Sequence, residues 1–451
     1  MILSDLNKRI ANKEAQVAVI GLGYVGLPVA CLLAQAGFST LGVDVDVARI
    51  EKVNAGINPI EGIEPGIAEL IHEVTQSGNL HCTADYAELA SVDAVLISVQ
   101  TPIEEDTHLP RYEHLRTALT QLGKVLKHGA LVIIESTLAP GTMNKVVIPT
   151  LEDAVGGRVG EQFFVGHCPE RITPGRLLLN LRTMNRTVGG YNQAVADVMV
   201  TLYAQFVQAD LDTADLLTAE IVKTAENAYR DVQIAFANEL AQICEALGGD
   251  VWRVRELVNK SPGREVLFPG AGVGGHCIPK DSWLLIANAR DVVMPRVISS
   301  ARATNRAMPA HVVQMTLSAL QDAGVAPEEA VIAVLGYAYM PDSDDTRDTP
   351  TQAYIEQIQP HVKDIRIHDP FVADYRGDVL DVVRGADATV ILVKHTAYTQ
   401  LDWRAMGEAM GQPVFVDARQ VLPADFTAPQ AIIRLIGQGT SHQQEGIRYD
   451  D

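Results

Sequence analysis

Residues 269–281, PGAGVGGHCIPKD, place one cysteine, Cys277, on a glycine-rich bend. The apolar run that follows, Trp283, Leu284, Leu285 and Ile286, predicts a helix starting near the sulfur. A thiol at a helix N-terminus has its thiolate favoured by the helix dipole and by backbone N–H groups with no partner inside the helix. Clustered glycines let a ligand come close to the backbone. Asp281 stands four residues on, one helical turn from the sulfur, where a carboxylate can handle protons. The combination suits a nucleophile. Taken alone, it also suits a cysteine that is only a small buried apolar residue.

A second constellation lies near the start of the chain. Residues 16–46, QVAVIGLGYVGLPVACLLAQAGFSTLGVDVD, predict strand, tight glycine turn, helix and strand. Within them Gly21, Leu22, Gly23, Tyr24, Val25 and Gly26 match G-x-G-x-x-G. The first glycine permits the turn, the second admits a pyrophosphate, and the third lets helix pack on strand. The pyrophosphate would sit on the helix N-terminus. Asp44 closes the second strand, where an acid binds the ribose 2′-OH and repels a 2′-phosphate, so NAD is expected rather than NADP.

These residues need a large α/β scaffold, and the rest of the chain predicts one. The expected architecture is two Rossmann-like doubly wound domains joined by a helical central domain with a long helix, spanning 1–205, 206–315 and 316–451. In the first part, 93–100 (DAVLISVQ) and 130–135 (ALVIIE) predict buried strands ending in the polar turns Thr101-Pro102 and Ser136-Thr137. Ligands of such sheets gather at those strand ends. The middle part predicts almost unbroken helix, with one candidate over 213–247 capped by Asp212 or Thr213. On it Lys223, Asn227 and Arg230 fall on one stripe amid small and apolar neighbours. The last part repeats an α/β pattern, with strands expected at 330–336, 364–368, 388–393 and 414–416. It keeps one glycine, Gly336, of the three that a dinucleotide turn needs. The polar tail from Gly437 onward is expected to fray.

Composition narrows the partners. The 451 residues carry a net charge of -20, which argues against nucleic acid and anionic membranes. No apolar stretch has the length of a membrane span, and the N-terminus lacks a signal-peptide core. The five cysteines, at 31, 82, 168, 244 and 277, have no disulfide or zinc spacing, so a cytoplasmic chain without a metal is expected. The pairs His167-Cys168 and His276-Cys277 are not expected to form a metal site, since adjacent side chains diverge and no carboxylate pattern accompanies them.

Together the motifs GLGYVGLP, SVQTP, ESTLAPGT, HCPER, AEIVKTAENAYRDVQIAFANEL, GAGVGGHCIPKD and SDDTRDTP resemble, in order, the UDP-glucose/GDP-mannose dehydrogenase family. His276 before Cys277, the CPER element and the YRDVQIAFANEL helix look like the subgroup acting on UDP-N-acetyl-D-mannosamine. The resemblance implies an NAD-dependent, four-electron oxidation of a UDP-N-acetylhexosamine C6 alcohol to a uronic acid, through a thiohemiacetal and thioester on Cys277. It implies catalytic roles for Cys277, Lys223, Asn227, Asp281, Glu170 and Thr137. It places the 21–26 turn, Asp44, Arg49, Thr101, Thr137 and Arg347 around NAD. It places Glu170, Arg171, Ile172, Lys223, Asn227, Arg230, Arg264, Gly272 and Tyr339 on the UDP-sugar, and it implies a homodimer through the long helix. UDP-N-acetylglucosamine or UDP-glucose as substrate, a one-step dehydrogenase, and a binding protein without turnover are the alternatives. Two departures stand out. Ser261-Pro262-Gly263-Arg264 replaces the subgroup's His-Pro-Arg, and Tyr339-Met340-Pro341 replaces the family's Phe-Lys-Pro, so Met340 removes a cation from the sugar nucleotide.

Overall fold

The computed structural model describes residues 2–428 and 430–439. Its contacts gather the chain into two units. One holds the residues up to Glu226 with Trp283–Met294, and the other holds Asn227–Ser282 with the residues from Pro295 on.

In the first unit, strands buried on both faces appear as unbroken apolar runs, as a sheet covered by helices on both sides requires. Gln16–Ile20 (β1), Ser39–Val43 (β2), Leu80–Thr83 (β3), Ala94–Ile97 (β4), Ala130–Ile134 (β5), Phe163–His167 (β6), Arg186–Gly190 (β7) and Leu211–Asp215 (β8) form one sheet. Its order is β3-β2-β1-β4-β5-β6-β7-β8, and within it only β6 and β7 pair antiparallel. The strand order reverses between β1 and β4, the place where doubly wound sheets bind ligands. Val17 and Val19 point into one apolar cluster and Ala18 and Ile20 into another, so β1 is the spine of both layers.

The second unit carries a smaller sheet, wholly parallel. Val331–Leu335 (β9), Asp364–His368 (β10), Ala388–Ile391 (β11), Val414–Asp417 (β12) and Ile432–Leu435 (β13) lie in the order β10-β9-β11-β12-β13. This is the other common doubly wound order. The helices Val251–Val258 and Arg296–Asp322 also belong to this unit. The chain passes between the units inside the long helix Leu216–Leu247 and again inside Cys277–Ala287. Two Rossmann-like sheets and a helical middle segment with a long helix are thus present as expected.

Two expectations need correction. The long helix starts at Leu216, not at 213, because 211–215 is β8. That strand sits at the sheet edge, pairs only with β7 and is largely solvated, so it lacks the apolar run that reveals an inner strand. Asp215 caps the helix instead, accepting from the Thr218 amide (2.9 Å) and hydroxyl (2.6 Å). The tail is tied down further than expected. The Gly437 amide donates to Glu245 (2.6 Å), its carbonyl accepts from Val251 (2.8 Å), and the Gly439 amide donates to Gly249 (2.9 Å). The remainder of that tail, 440–451, lies outside the described residues.

Candidate active site

The three fingerprint glycines meet three different steric demands. Gly21 has φ +92°, and a Cβ there would stand 2.6 Å from the Ser98 carbonyl oxygen at the end of β4. At Gly26 a Cβ would come within 1.9 Å of the Gly21 carbonyl oxygen, so only glycine lets Gly26–Gln35 begin as a helix against the turn. A Cβ at Gly23 would meet nothing within 4 Å. Protein packing does not require that glycine, whereas a ligand lying on the backbone does. Asp44 is buried and holds the turn from the neighbouring strand. Its carboxylate accepts from the Leu22 amide (2.7 Å), the Asp46 amide (2.9 Å) and the Arg49 guanidinium (3.1 Å). At the ends of β4 and β5 the Thr101 hydroxyl donates to the Thr137 carbonyl (2.7 Å), and Ser136 donates to Val99 (2.6 Å). The residues expected around NAD in this unit therefore cluster at the switch point, and their open backbone and buried acid fit a dinucleotide.

Also in the first unit, Glu170 follows β6 and is buried, with Oε2 lacking a hydrogen-bond partner among the described residues. Arg171 turns to the long helix and pairs with Glu226 through two nitrogens (2.5 and 2.7 Å), while Ile172 packs at the edge of the main cluster. Lys223 is buried on the long helix one turn before Asn227. Sequence reasoning missed Glu220. Its carboxylate accepts from the amides of Gly141 and Met143 (2.7 Å each), fastening the loop after Thr137 to the long helix. Glu220 is wholly buried three residues before Lys223, and nothing in the sequence sets it apart from a solvated acid on the helix.

In the second unit Cys277 is the first residue of the helix Cys277–Ala287, and Asp281 lies on the same helix one turn later. The Asn227 amide donates to Asp281 Oδ2 at 2.6 Å, and Lys280 Nζ stands 3.7 Å from Oδ1. Of the five cysteines, Cys277 is the one partly exposed; the others are buried. Burial pushes the Cys82 thiol up to about 12 and the Cys168 thiol up to about 11, which suppresses their thiolates. Gly275, at φ +84°, donates its amide to the Arg347 carbonyl (2.9 Å). The Tyr339 ring packs on Gly275, where an added Cβ would stand 2.8 Å from it. Burial, and then the Asp345 carboxylate, raise the Tyr339 hydroxyl above its usual range. Arg347 pairs with Asp345 (2.6 Å). Gly272 is buried against Asn305 and Pro350.

Two of the arginines expected on the sugar nucleotide are at the surface. Arg230 is exposed, and Arg264, also exposed, turns its guanidinium back onto the Pro262 carbonyl (2.8 Å). Arg419 was not anticipated. Its guanidinium presses on Gly270, where a Cβ would stand 2.2 Å from a nitrogen, while its Nε donates to Leu392 (3.0 Å).

A doubly wound sheet with an open glycine at its switch point and an acid on the next strand defines a dinucleotide-binding enzyme domain. Sequence models of the UDP-glucose/GDP-mannose dehydrogenase family match this chain in three segments: the NAD binding domain over 15–207, the central domain over 217–307 and the UDP binding domain over 333–424. A UDP-N-acetyl-D-mannosamine dehydrogenase of Pyrococcus horikoshii is 39% identical over 94% of this chain and 99% of its own. A solved UDP-D-ManNAc dehydrogenase from Pyrococcus horikoshii superposes with TM-score 0.88 at 38% identity, covering 94% of this chain and 99% of that one. An NDP-N-acetyl-D-galactosaminuronic acid dehydrogenase from Methanosarcina mazei Go1 superposes with TM-score 0.85 at 34% identity, covering 97% and 98%. The chain belongs to the UDP-glucose/GDP-mannose dehydrogenase family. It is an NAD-dependent nucleotide-sugar dehydrogenase that oxidises a UDP-sugar. Among the described residues no helix is long and apolar enough to cross a membrane.

Proposed function

We propose that this chain oxidises the C6 alcohol of UDP-N-acetyl-D-mannosamine to the uronic acid in two steps, with Cys277 as covalent nucleophile. The observation that carries the reading is Cys277 at a helix start, half-exposed, with Asp281 one turn on and held by Asn227 at 2.6 Å. Relatives named for UDP-N-acetyl-D-mannosamine support the substrate. When bound, NAD⁺ accepts the hydride that C6 loses in each oxidation. Lys223, or a water it holds, takes the alcohol proton and then stabilises the oxyanions. Asn227 shares those oxyanion contacts. The Cys277 thiolate adds to the aldehyde carbon, forming a C–S bond and a thiohemiacetal. Loss of the second hydride leaves a thioester. Water oriented by Asp281, Glu170 and Thr137 attacks its carbonyl, the C–S bond breaks, and acid and thiolate are released.

The 21–26 turn, Asp44, Arg49, Thr101, Thr137 and Arg347 hold NAD in this reading. Glu170, Arg171, Ile172, Lys223, Asn227, Arg230, Arg264, Gly272 and Tyr339 hold the UDP-sugar. Arg419, lying on Gly270, supplies a cation to the glycine loop, whereas Met340 carries none. The domains divide as 1–205, 206–315 and 316–451, the protein works in the cytoplasm, and two copies pair through the long helix.

The test is NADH yield on limiting UDP-N-acetylmannosamine, UDP-N-acetylglucosamine and UDP-glucose. Two NADH per sugar are expected with the first alone, and Cys277→Ser is expected to give no more than one, with aldehyde accumulating. Two NADH with another sugar would move the substrate. Full acid production by Cys277→Ser would overturn the mechanism.

A further inference from the structure

Asp231 is fully buried, and both oxygens of its carboxylate are engaged. Oδ1 accepts from the Arg302 guanidinium (2.7 Å) and the Asn305 amide (2.8 Å), and Oδ2 accepts from the Ser282 hydroxyl (3.2 Å). The Asn305 amide also donates to the Asp231 carbonyl (2.9 Å). From there the Asn305 side-chain oxygen accepts from Asn238 (2.8 Å), whose own oxygen accepts from the Gly270 amide (2.9 Å). A buried carboxylate is costly unless its charge is paired and its oxygens hydrogen-bonded; here Arg302 pairs the charge and each oxygen accepts at least one hydrogen bond.

The network reaches both flanks of Cys277. Ser282 lies on the cysteine helix, just after Asp281, and Gly270 opens the glycine loop that leads into it. Asn227 and Asp231 are one turn apart on the long helix, and they hold the consecutive residues Asp281 and Ser282. A single hydrogen bond leaves a helix free to pivot about it. Two bonds, spaced by a turn on one helix and by one residue on the other, fix both its rotation and its slide. Only the Asn227–Asp281 bond belongs to the chemistry proposed above.

We infer that Asp231 is a positioning residue for the nucleophile: through Ser282 on one side, and through Asn305, Asn238 and Gly270 on the other, it sets the Cys277 helix against the long helix. The inference rests on Cys277 being the nucleophile. Misplacing a reacting group by about 1 Å can cost on the order of a hundredfold in rate without changing how substrate binds.

Ser282→Ala deletes one hydrogen bond and leaves the Arg302 and Asn305 contacts in place, so it separates positioning from folding. Asp231→Asn, Ser282→Ala and Ser282→Thr are compared with the intact protein by steady-state kinetics, thermal midpoint and amide hydrogen exchange. Ser282→Ala and Asp231→Asn are expected to lower kcat about tenfold to a hundredfold with both KM values within about twofold. Ser282→Thr, which keeps the hydroxyl, is expected to restore most of it. Amide exchange over 277–282 is expected to quicken about tenfold in Ser282→Ala while 296–322 is unchanged. Should Asp231→Asn fail to fold, Ser282→Ala carries the test. Wild-type kcat and exchange in Ser282→Ala would overturn the inference. So would a loss of kcat that follows the thermal midpoint and is not restored by threonine. If the intact protein makes no NADH from any nucleotide sugar, the functional reading fails, and the exchange comparison still decides whether Asp231 fastens this helix.

Discussion

Gly23 and Gly26 are the same residue type three positions apart, yet they answer to different constraints. Gly26 is required by the protein itself, since its Cβ would lie 1.9 Å from the Gly21 carbonyl oxygen. Gly23 has open space, so the protein itself does not require it, and in the proposed reading NAD does. Gly26→Ala is therefore expected to destabilise folding by about 3 kcal/mol, read by urea unfolding. Gly23→Ala should leave the unfolding midpoint unchanged and weaken NAD binding at least about tenfold, read by calorimetric titration. Equal losses of stability in the two variants would contradict the assignment. The glycine turn, Asp44 and the Cys277–Asp281 pair were legible because each depends on neighbours close in sequence or on a fixed strand–turn–helix spacing. Glu220, Asp231 and Arg419 were not. Each is a charged residue whose partners, at Gly141, Arg302 and Gly270, come from distant segments, and composition alone cannot tell such a group from a solvated one.

At the scale of elements, β1, β2, β4, β5 and β9 to β12 were readable as apolar runs, while the inner strands β6 and β7 were not expected, and the edge strand β8 was not either, because a strand solvated on both faces has no period to read. The second sheet repeats the first in one respect. Asp369 follows β10 and accepts from the amides of Tyr337 (2.7 Å) and Ala338 (2.9 Å) after β9, much as Asp44 accepts from Leu22. Here, however, the acid is fully enclosed, and its carboxylate also accepts from the Phe371 amide (2.8 Å) and meets His395 Nε2 (3.1 Å). The long helix gains a pH-dependent anchor in Glu220. Burial pushes this carboxyl from 4.5 up to about 7, against the amides of Met143 and Gly141, which lower it. Between those two values the native chain keeps a proton that the unfolded chain has lost, so stability falls as pH rises through that window and the full penalty stands above pH 7. Glu220→Gln removes the ionisation. The unfolding free energy of the native protein minus that of the variant is expected to fall by roughly 3 kcal/mol between about pH 4.5 and pH 8, the size of that shift. A difference that stays flat with pH would show that the carboxyl titrates normally.

At the scale of the whole molecule, an apolar row on the long helix is left uncovered by the chain's own packing among the described residues. Tyr229, Phe236 and Ile243 recur every seven residues on the long helix and are 65%, 56% and 48% exposed. Seven residues make nearly two turns, so the three side chains share a face, and Val232 and Leu240 between them are half-covered. An apolar row of this kind on a helix facing water marks a protein contact, and self-pairing of the same row on a second copy satisfies a twofold interface with no other component. Light scattering is therefore expected to give twice the chain mass. Phe236→Asp places a charge at the middle of the row, where pairing would bury it unpaired, and is expected to shift the equilibrium to monomer by on the order of a hundredfold or more in dissociation constant. The same substitution on an exposed position of a monomer would cost almost nothing, within about 0.5 kcal/mol. A native chain that scatters as a monomer at every concentration would rule the pairing out. A Phe236→Asp dimer as tight as the native one would place the interface on another face.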